Sequence, residues 1–191
     1  MSSDFAEFDF KSQNGLEAGI TPPGECVLAN LGIDLVAPEF REMPPRKRAQ
    51  YRAVKNWLTR YKPKLGASNL EKVKGYLEAF HHFCEVEDWE RASQILFTSL
   101  ETPTNQTLHN QLGDWGYYLK QIEIYSRILH KLTSSIVNSG FLNGLGNAYQ
   151  ALANYEKAIE YHQQALIIAR NTQDRLLEGR FPKNLPSKSL S

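Results

Sequence analysis

His81, His82 and Cys84 form the densest group of side chains able to hold a metal or attack an electrophile. On a helix, residues 81 and 84 share a face, but two ligands do not make a metal site and nothing nearby completes the set. A nucleophilic cysteine needs a base within hydrogen-bond reach and a pair of oxyanion donors. No local signature supplies them, and Phe80 and Phe83 make Cys84 a packed thiol. His109, His130 and His162 stand singly within helical patterns, and His162 falls on a packing stripe. Glu156 and Glu160 are one turn apart with Lys157 beside them, which is the pattern of a solvated helix face rather than an acid–base pair. No glycine-rich loop ends in Lys-Ser or Lys-Thr. The chain is therefore expected to have no catalytic residues, no metal and no cofactor.

A second constellation is electrostatic. Residues 41–70 carry Arg41, Arg46, Lys47, Arg48, Arg52, Lys55, Arg60, Lys62 and Lys64 against Glu42 alone, while residues 1–40 carry seven acids against Lys11. Arg46, Lys47, Arg48, Arg52, Lys55 and Arg60 interleave with Tyr51, Trp57 and Tyr61, a composition used by binders of nucleic acid and of anionic membranes. The aromatics, however, recur at helical spacing, so they are expected to be a packed face with the charges solvated. An acidic protein patch, possible even within residues 1–40 of this chain, is the next reading. Nucleic acid comes third, and a regulatory nucleic-acid or acidic-partner binder using residues 46–64 is the alternative function.

These residues need elements to position them. A chain of 191 residues with 41% hydrophobic content has room for one domain or a small array with arms. The net charge of +1 selects neither nucleic acid nor membrane. Cys26 and Cys84 are far apart and suggest no disulfide framework. The first residues have no apolar run of signal-peptide type, and no stretch is long enough to span a bilayer. A cytoplasmic protein with no membrane association is expected.

Proline and glycine divide the chain. Residues 1–20 read as a flexible acidic arm. Thr21-Pro22 starts a short helix that stops at Gly32, and Ala37-Pro38 and Pro44-Pro45 impose extended chain. A basic helix follows over residues 46–61, with Tyr51, Val54, Leu58 and Tyr61 on one stripe, inside an N-terminal extension spanning 21–66. Ser68 or Asn69 can cap the next helix. From there to residue 172 the pattern is helix, turn, helix, with no alternating run long enough for a strand. Residues 176–191 read as a disordered tail.

A repeat underlies this pattern. Trp89, Ser93, Leu96 and Leu100 recur at steps of four, three and four. Tyr118, Ile122, Tyr125 and Leu129 keep those steps, as do Tyr155, Ile159, His162 and Leu166. Each stripe is preceded by a shorter helix: Tyr76 to Cys84, Leu108 to Leu112, and Leu142 to Tyr149. In the third unit small residues (Gly146, Ala158, Ala165) alternate with large ones (Leu145, Tyr149, Tyr155, Leu166), so that antiparallel helices can approach closely.

This third unit resembles the tetratricopeptide repeat, with the first and second units as progressively weaker versions. Gln121 and Ile128 stand where the motif wants alanine. The aromatics Trp89, Tyr118 and Tyr155 are 29 and then 37 residues apart, against about 34 for the motif, which places an insertion near Thr133 to Asn138. The stretch from Met43 to Tyr118 is also similar to regions preceding repeat arrays in cyanobacterial signalling-type multidomain proteins.

The resemblance implies an all-α, short right-handed α-solenoid of helix-turn-helix units (about 73–101, 102–135 and 139–172, within 69–175) behind a helical or irregular extension. It implies a non-catalytic scaffold or adaptor that holds a protein or peptide partner in a concave groove. The groove positions fall on Asn143, Asn147 and Gln150 in the third unit, Gln106 and Asn110 in the second, and His81 and Lys74 in the first. Asparagine offers both donor and acceptor and can pair with an extended backbone. Trp89 is expected to be the buried pivot of the first unit. The last helix lacks a covering unit, so homo-oligomerisation through the open edge along Tyr155 and Leu166 is a further expectation.

Overall fold

The computed structural model describes residues 19–171. Most of the acidic arm and the 176–191 tail lie outside the described residues. The chain is all-α, a short solenoid of helix-turn-helix units behind an N-terminal helical extension. Among the described residues the one extended pairing is an isolated antiparallel bridge between Ser99 and Thr107. The extension contains α1 (Gly24–Asn30), α2 (Pro38–Glu42) and α3 (Pro45–Arg60). A short α4 (Asn69–Lys72) leads into three hairpins: α5 (Lys74–Cys84) with α6 (Trp89–Leu96), α7 (Leu108–Asp114) with α8 (Tyr118–Ile128), and α9 (Ser135–Ala151) with α10 (Tyr155–Asn171).

The prolines act as helix starts, so Pro38 and Pro45 are not extended as the sequence suggested. Their predecessors Ala37 and Pro44 are extended, with ψ of 147° and 142°, and each proline opens a helix where its missing N–H costs nothing. The first helix likewise begins at Gly24, after Pro22-Pro23, and not at Thr21. Ser68 caps α4 through a reciprocal box with Glu71, whose carboxylate takes the Ser68 N–H at 3.0 Å.

The stretch expected to be an insertion, Thr133 to Asn138, holds the N-cap and the first turn of α9. Ser134 caps the helix through the Val137 N–H. Asn138 then faces inward. Its side chain accepts from the His130 N–H at 3.1 Å and donates to the Leu132 carbonyl at 2.9 Å, satisfying the turn that joins α8 to α9. His130 itself lies in that turn with φ of 62°, outside the helix that the pattern had assigned to it.

The three hairpins share one turn. Glu87, Gly116 and Ala153 each adopt positive φ (55°, 79° and 58°), two residues before α6, α8 and α10. In each, the following N–H reaches five residues back: Asp88 to the Phe83 carbonyl at 3.0 Å, Tyr117 to Leu112 at 2.8 Å, and Asn154 to Tyr149 at 2.9 Å. This is a Schellman closure, and it pairs chemically unlike residues at equivalent positions.

One main core runs from Val27 through Phe83, Ile95, Leu112 and Ile128 to Leu145. Helix α3 buries Tyr51, Val54 and Leu58, and it packs on α1 and α5. The Tyr51 hydroxyl donates to Asp88, Arg91 Nη1 reaches Asp88 at 2.9 Å, and Arg91 Nε donates to the Leu31 carbonyl at 2.8 Å. That network ties the extension to the first hairpin. Burial pushes the Tyr51 hydroxyl up to about 12, with the Asp88 hydrogen bond adding to it. Trp89, expected to be buried, is only partly so: it packs against the main core and has Lys131 Nζ 5.4 Å over its ring.

Helix α9 is packed from both sides. A Cβ on Gly146 would stand 2.5 Å from the His162 ring of α10, and a Cβ on Gly144 would collide with the Tyr125 ring of α8. Both glycines let an aromatic ring lie directly on the α9 backbone.

Ala153 is exposed and strained by its positive φ, so Ala153→Gly loses no packing. It is expected to stabilise the protein by about 1 kcal/mol. Thermal unfolding followed by circular dichroism should show the midpoint rise by about 2–4 °C; a fall would show that the turn carries no strain.

Candidate functional site

Six of the seven residues expected to line a groove are spread over α5, α7 and α9, and the seventh, Gln106, precedes α7. Asn147 and Gln150 are exposed on α9. Asn143, one turn earlier on the same face, is half-buried because His162 Nδ1–H donates to its Oδ1 at 3.1 Å. With Nδ1 protonated, His162 leaves Nε2 buried and without a partner among the described residues. Burial holds the ring below the usual histidine range. Asn143 thus orients the ring that rests on Gly146, and Asn147 and Gln150 are the solvent-facing pair.

Asn110 is exposed on α7. Gln106 lies before that helix, in the turn where its carbonyl accepts the Leu100 N–H at 2.9 Å, so it is no helix position at all. His81 and Lys74 on α5 engage other helices. Arg127 Nη1 of α8 donates to His81 Nδ1 at 2.7 Å, and Arg127 Nη2 donates to Glu85 at 2.5 Å. Lys74 Nζ stands 5.7 Å over the Trp57 ring of α3. No side-chain hydrogen bond joins any two of the seven. Arg127 was not foreseen, because nothing in its local pattern says that α8 reaches across to α5.

The second unit is held by polar groups where the motif wants small apolar ones. Gln121 Nε2 donates to the His109 carbonyl at 2.8 Å and to the Tyr125 hydroxyl at 3.1 Å. That hydroxyl lies 2.8 Å from His109 Nδ1. The His109 ring is also enclosed edge-on by Phe97 and Phe141. Burial alone pushes its pKa down to about 4.

On α3, the basic side chains are partly engaged within the fold. Lys47 and Arg52 lie over the rings of Tyr51 and Phe40, at 5.9 and 5.7 Å. Arg48 Nη1 donates to the Arg41 carbonyl at 2.7 Å. Tyr51 is buried edge-on against Phe83, which removes it from any stacking surface, whereas Trp57 is half-buried. Arg46, Lys55 and Arg60 are exposed.

A cleft of about 680 Å³ lies where the 19–24 segment passes the end of α3, lined by Trp57, Tyr61, Lys62, Lys64 and Leu65. Trp57 and Tyr61 have ring centroids 5.5 Å apart. The sequence shows these residues on the basic helix and its exit but shows no cavity, because the opposite wall comes from residues some forty positions earlier.

At the far end, the outer face of α10 and the turn before it expose Leu152, Tyr155, Ile159 and Ile167 at 42, 63, 38 and 58%. Leu166, expected on that open edge, instead packs inward beside Leu142 and Ala165. Among the described residues no helix is long and apolar enough to cross a membrane. No cluster of three or more histidine, cysteine or acidic residues could hold a metal ion there. Burial pushes the Cys84 thiol up to about 11, which keeps it protonated and unreactive near neutral pH.

Residues 142–176 match the tetratricopeptide repeat family model. No curated protein matches the chain.

The His109 environment sets a pH dependence. Its folded pKa of about 4 lies below the ordinary 6.5. Above pH 6.5 both folded and unfolded states are neutral and the full stability is present. As pH falls from about 6.5 to about 4 the unfolded chain takes a proton that the folded chain refuses, and about 3 kcal/mol is lost. Chemical denaturation at stepped pH should show this loss, and His109→Gln should make it shallower within that window, leaving only the part contributed by the His162 and His82 rings, which burial also holds below the usual range. An equally steep loss in His109→Gln would assign it elsewhere.

Proposed function

We propose that this chain, whose residues 142–176 match the tetratricopeptide repeat, is a non-catalytic scaffold that binds an extended peptide backbone on the face of α9 carrying Asn147 and Gln150. The supporting observation is the arrangement of that helix. Its buried side is fixed by ring-on-glycine contacts to both neighbours, while amide side chains face solvent on the same helix. A rigid helix with preset amides loses little entropy on binding. Amide side chains can accept from and donate to a peptide main chain with little regard to its sequence. Asn110 on α7 extends the same chemistry, and α7 meets α9 through His109 and Phe141. His81 and Lys74 contribute less directly, since their side chains are already turned to Arg127 and Trp57.

A second surface follows from the exposed face of α10. Leu152, Tyr155, Ile159 and Ile167 stand where another unit of a solenoid would pack. Glu156, Lys157 and Glu160 flank them with both charge signs, so a second copy could be accommodated there.

Two experiments separate these surfaces. The full chain can be screened against an array of extended twelve-residue peptides and the hits measured by fluorescence anisotropy. Asn147→Ala is expected to weaken binding about tenfold, the loss of one or two neutral hydrogen bonds, while leaving the melting midpoint within about 1 °C. Binding that is indifferent to both Asn147→Ala and Gln150→Ala would remove α9 as the site. For self-association, sedimentation should show a concentration-dependent mass that Tyr155→Glu with Ile159→Glu returns to the monomer; a constant monomer mass in the wild type overturns the α10 contact.

A further inference from the structure

Independently of the α9 surface, we propose that the cleft at the end of α3 is a binding site for an acidic, phenylalanine-bearing peptide segment. The occupant is the chain's own Asp4–Phe10. The cleft combines two features that are rarely placed together. Its floor is aromatic and apolar: Trp57 and Tyr61 are only half-buried, and Leu65 is 86% exposed. Its rim is cationic, with Lys62 and Lys64 against Glu101 as the one acid among the lining residues. Such a surface selects a ligand that brings apolar rings and negative charge together.

The N-terminal sequence has that composition. Asp4, Glu7 and Asp9 alternate with Phe5, Phe8 and Phe10 in a run with no base before Lys11. The tether has the right origin as well. Gly19 and Ile20 are part of the cleft wall, so the described chain begins at the cleft itself. That wall is pinned: the Ile20 carbonyl accepts the Glu101 N–H at 2.9 Å, and the Pro22 carbonyl accepts the Tyr76 hydroxyl at 2.8 Å. Phe10 is nine residues from Gly19, a span of up to about 30 Å when extended, more than enough to return along the lysine rim. A short tether supplies an effective concentration in the millimolar range, so even a weak contact is occupied. A single-stranded nucleic acid also offers rings and negative charge. It lacks the tether, and the Tyr51 ring that would extend the stacking surface is buried.

The test uses the full chain. A fluorescein-labelled peptide of residues 2–11 is titrated into the wild type and into Phe5→Ala/Phe8→Ala/Phe10→Ala, with circular dichroism to verify folding. The wild type, already occupied, is expected to bind the peptide at least fivefold more weakly than the triple variant, and adding Lys62→Glu/Lys64→Glu to the triple variant should abolish binding. A photo-crosslinking phenylalanine analogue at position 8 should join residues 57–65 within one chain. Equal binding by wild type and triple variant, or crosslinks to α9 or between chains, would overturn the proposal. So would displacement of the peptide from the triple variant by a ten-nucleotide DNA at equal affinity. The Asn147 surface is intact in all these variants, so failure here leaves the α9 reading untouched.

Discussion

The solenoid depends on how closely two aromatic rings approach the backbone of α9. Tyr125 lies against Gly144 and His162 against Gly146, on opposite flanks of one helix. No side chain larger than hydrogen fits at either position without moving a ring. Because protein interiors are close-packed, such contacts leave little freedom for the helix to slide or roll. Helix α9 is therefore positioned by its neighbours more firmly than by its own composition. The solvent-facing amides at Asn147 and Gln150 inherit that rigidity, and Asn143 contributes by holding the His162 ring that performs half of the clamping.

The same economy explains how three unlike units form one array. Each hairpin ends its first helix with a Schellman closure and a residue of positive φ, yet only one of those residues is glycine. The strain at Glu87 and Ala153 is offset by the packing of the helices that the turns connect. In the second unit, Gln121 occupies a position suited to alanine and its amide must be satisfied. The His109 carbonyl and the Tyr125 hydroxyl do so. Buried polar groups of this kind are costly unless fully paired, and their pairing fixes one arrangement of α7 on α8. The hydroxyl of that network belongs to the ring that rests on Gly144, so the departure of one unit from the motif is built into the clamp on the next.

The N-terminal extension is part of this body. Tyr51, Asp88, Arg91 and the Leu31 carbonyl join α3, the loop after α1 and the first hairpin in one polar cluster. Burial opposes the Asp88 charge, but the hydrogen bonds from Tyr51 and Arg91 and the charge of Arg91 hold its carboxyl below the usual range. With α3 anchored, its remaining aromatics are presented at a fixed place beside the lysines of 62–64, and the charge asymmetry of the sequence becomes a localised surface. The surfaces at α9, at α10 and at the end of α3 are thus produced by one rigid scaffold and differ in chemistry: amide, apolar, and cationic-aromatic.

The sequence by itself determined the helices, because a stripe repeating at steps of three and four has no other way to bury itself. It determined the third repeat, where small and large residues alternate as the close packing requires, and the inward face of α3, where Tyr51, Val54 and Leu58 fall on one stripe. Tertiary structure decided the rest. That residues 133–138 open a helix, with Asn138 satisfying the turn before it, is one such case, because nothing local shows the inward face of that residue. Trp89 read as buried because its stripe points at the core, and only the tertiary packing leaves its ring partly exposed with the ammonium of Lys131 over it. The partners of His81 and Lys74, Arg127 and Trp57, lie 46 and 17 positions away and are equally invisible to local pattern. Periodicity encodes which face of a helix is apolar; which neighbour covers the polar face depends on long-range packing, and that information is spread over the whole chain.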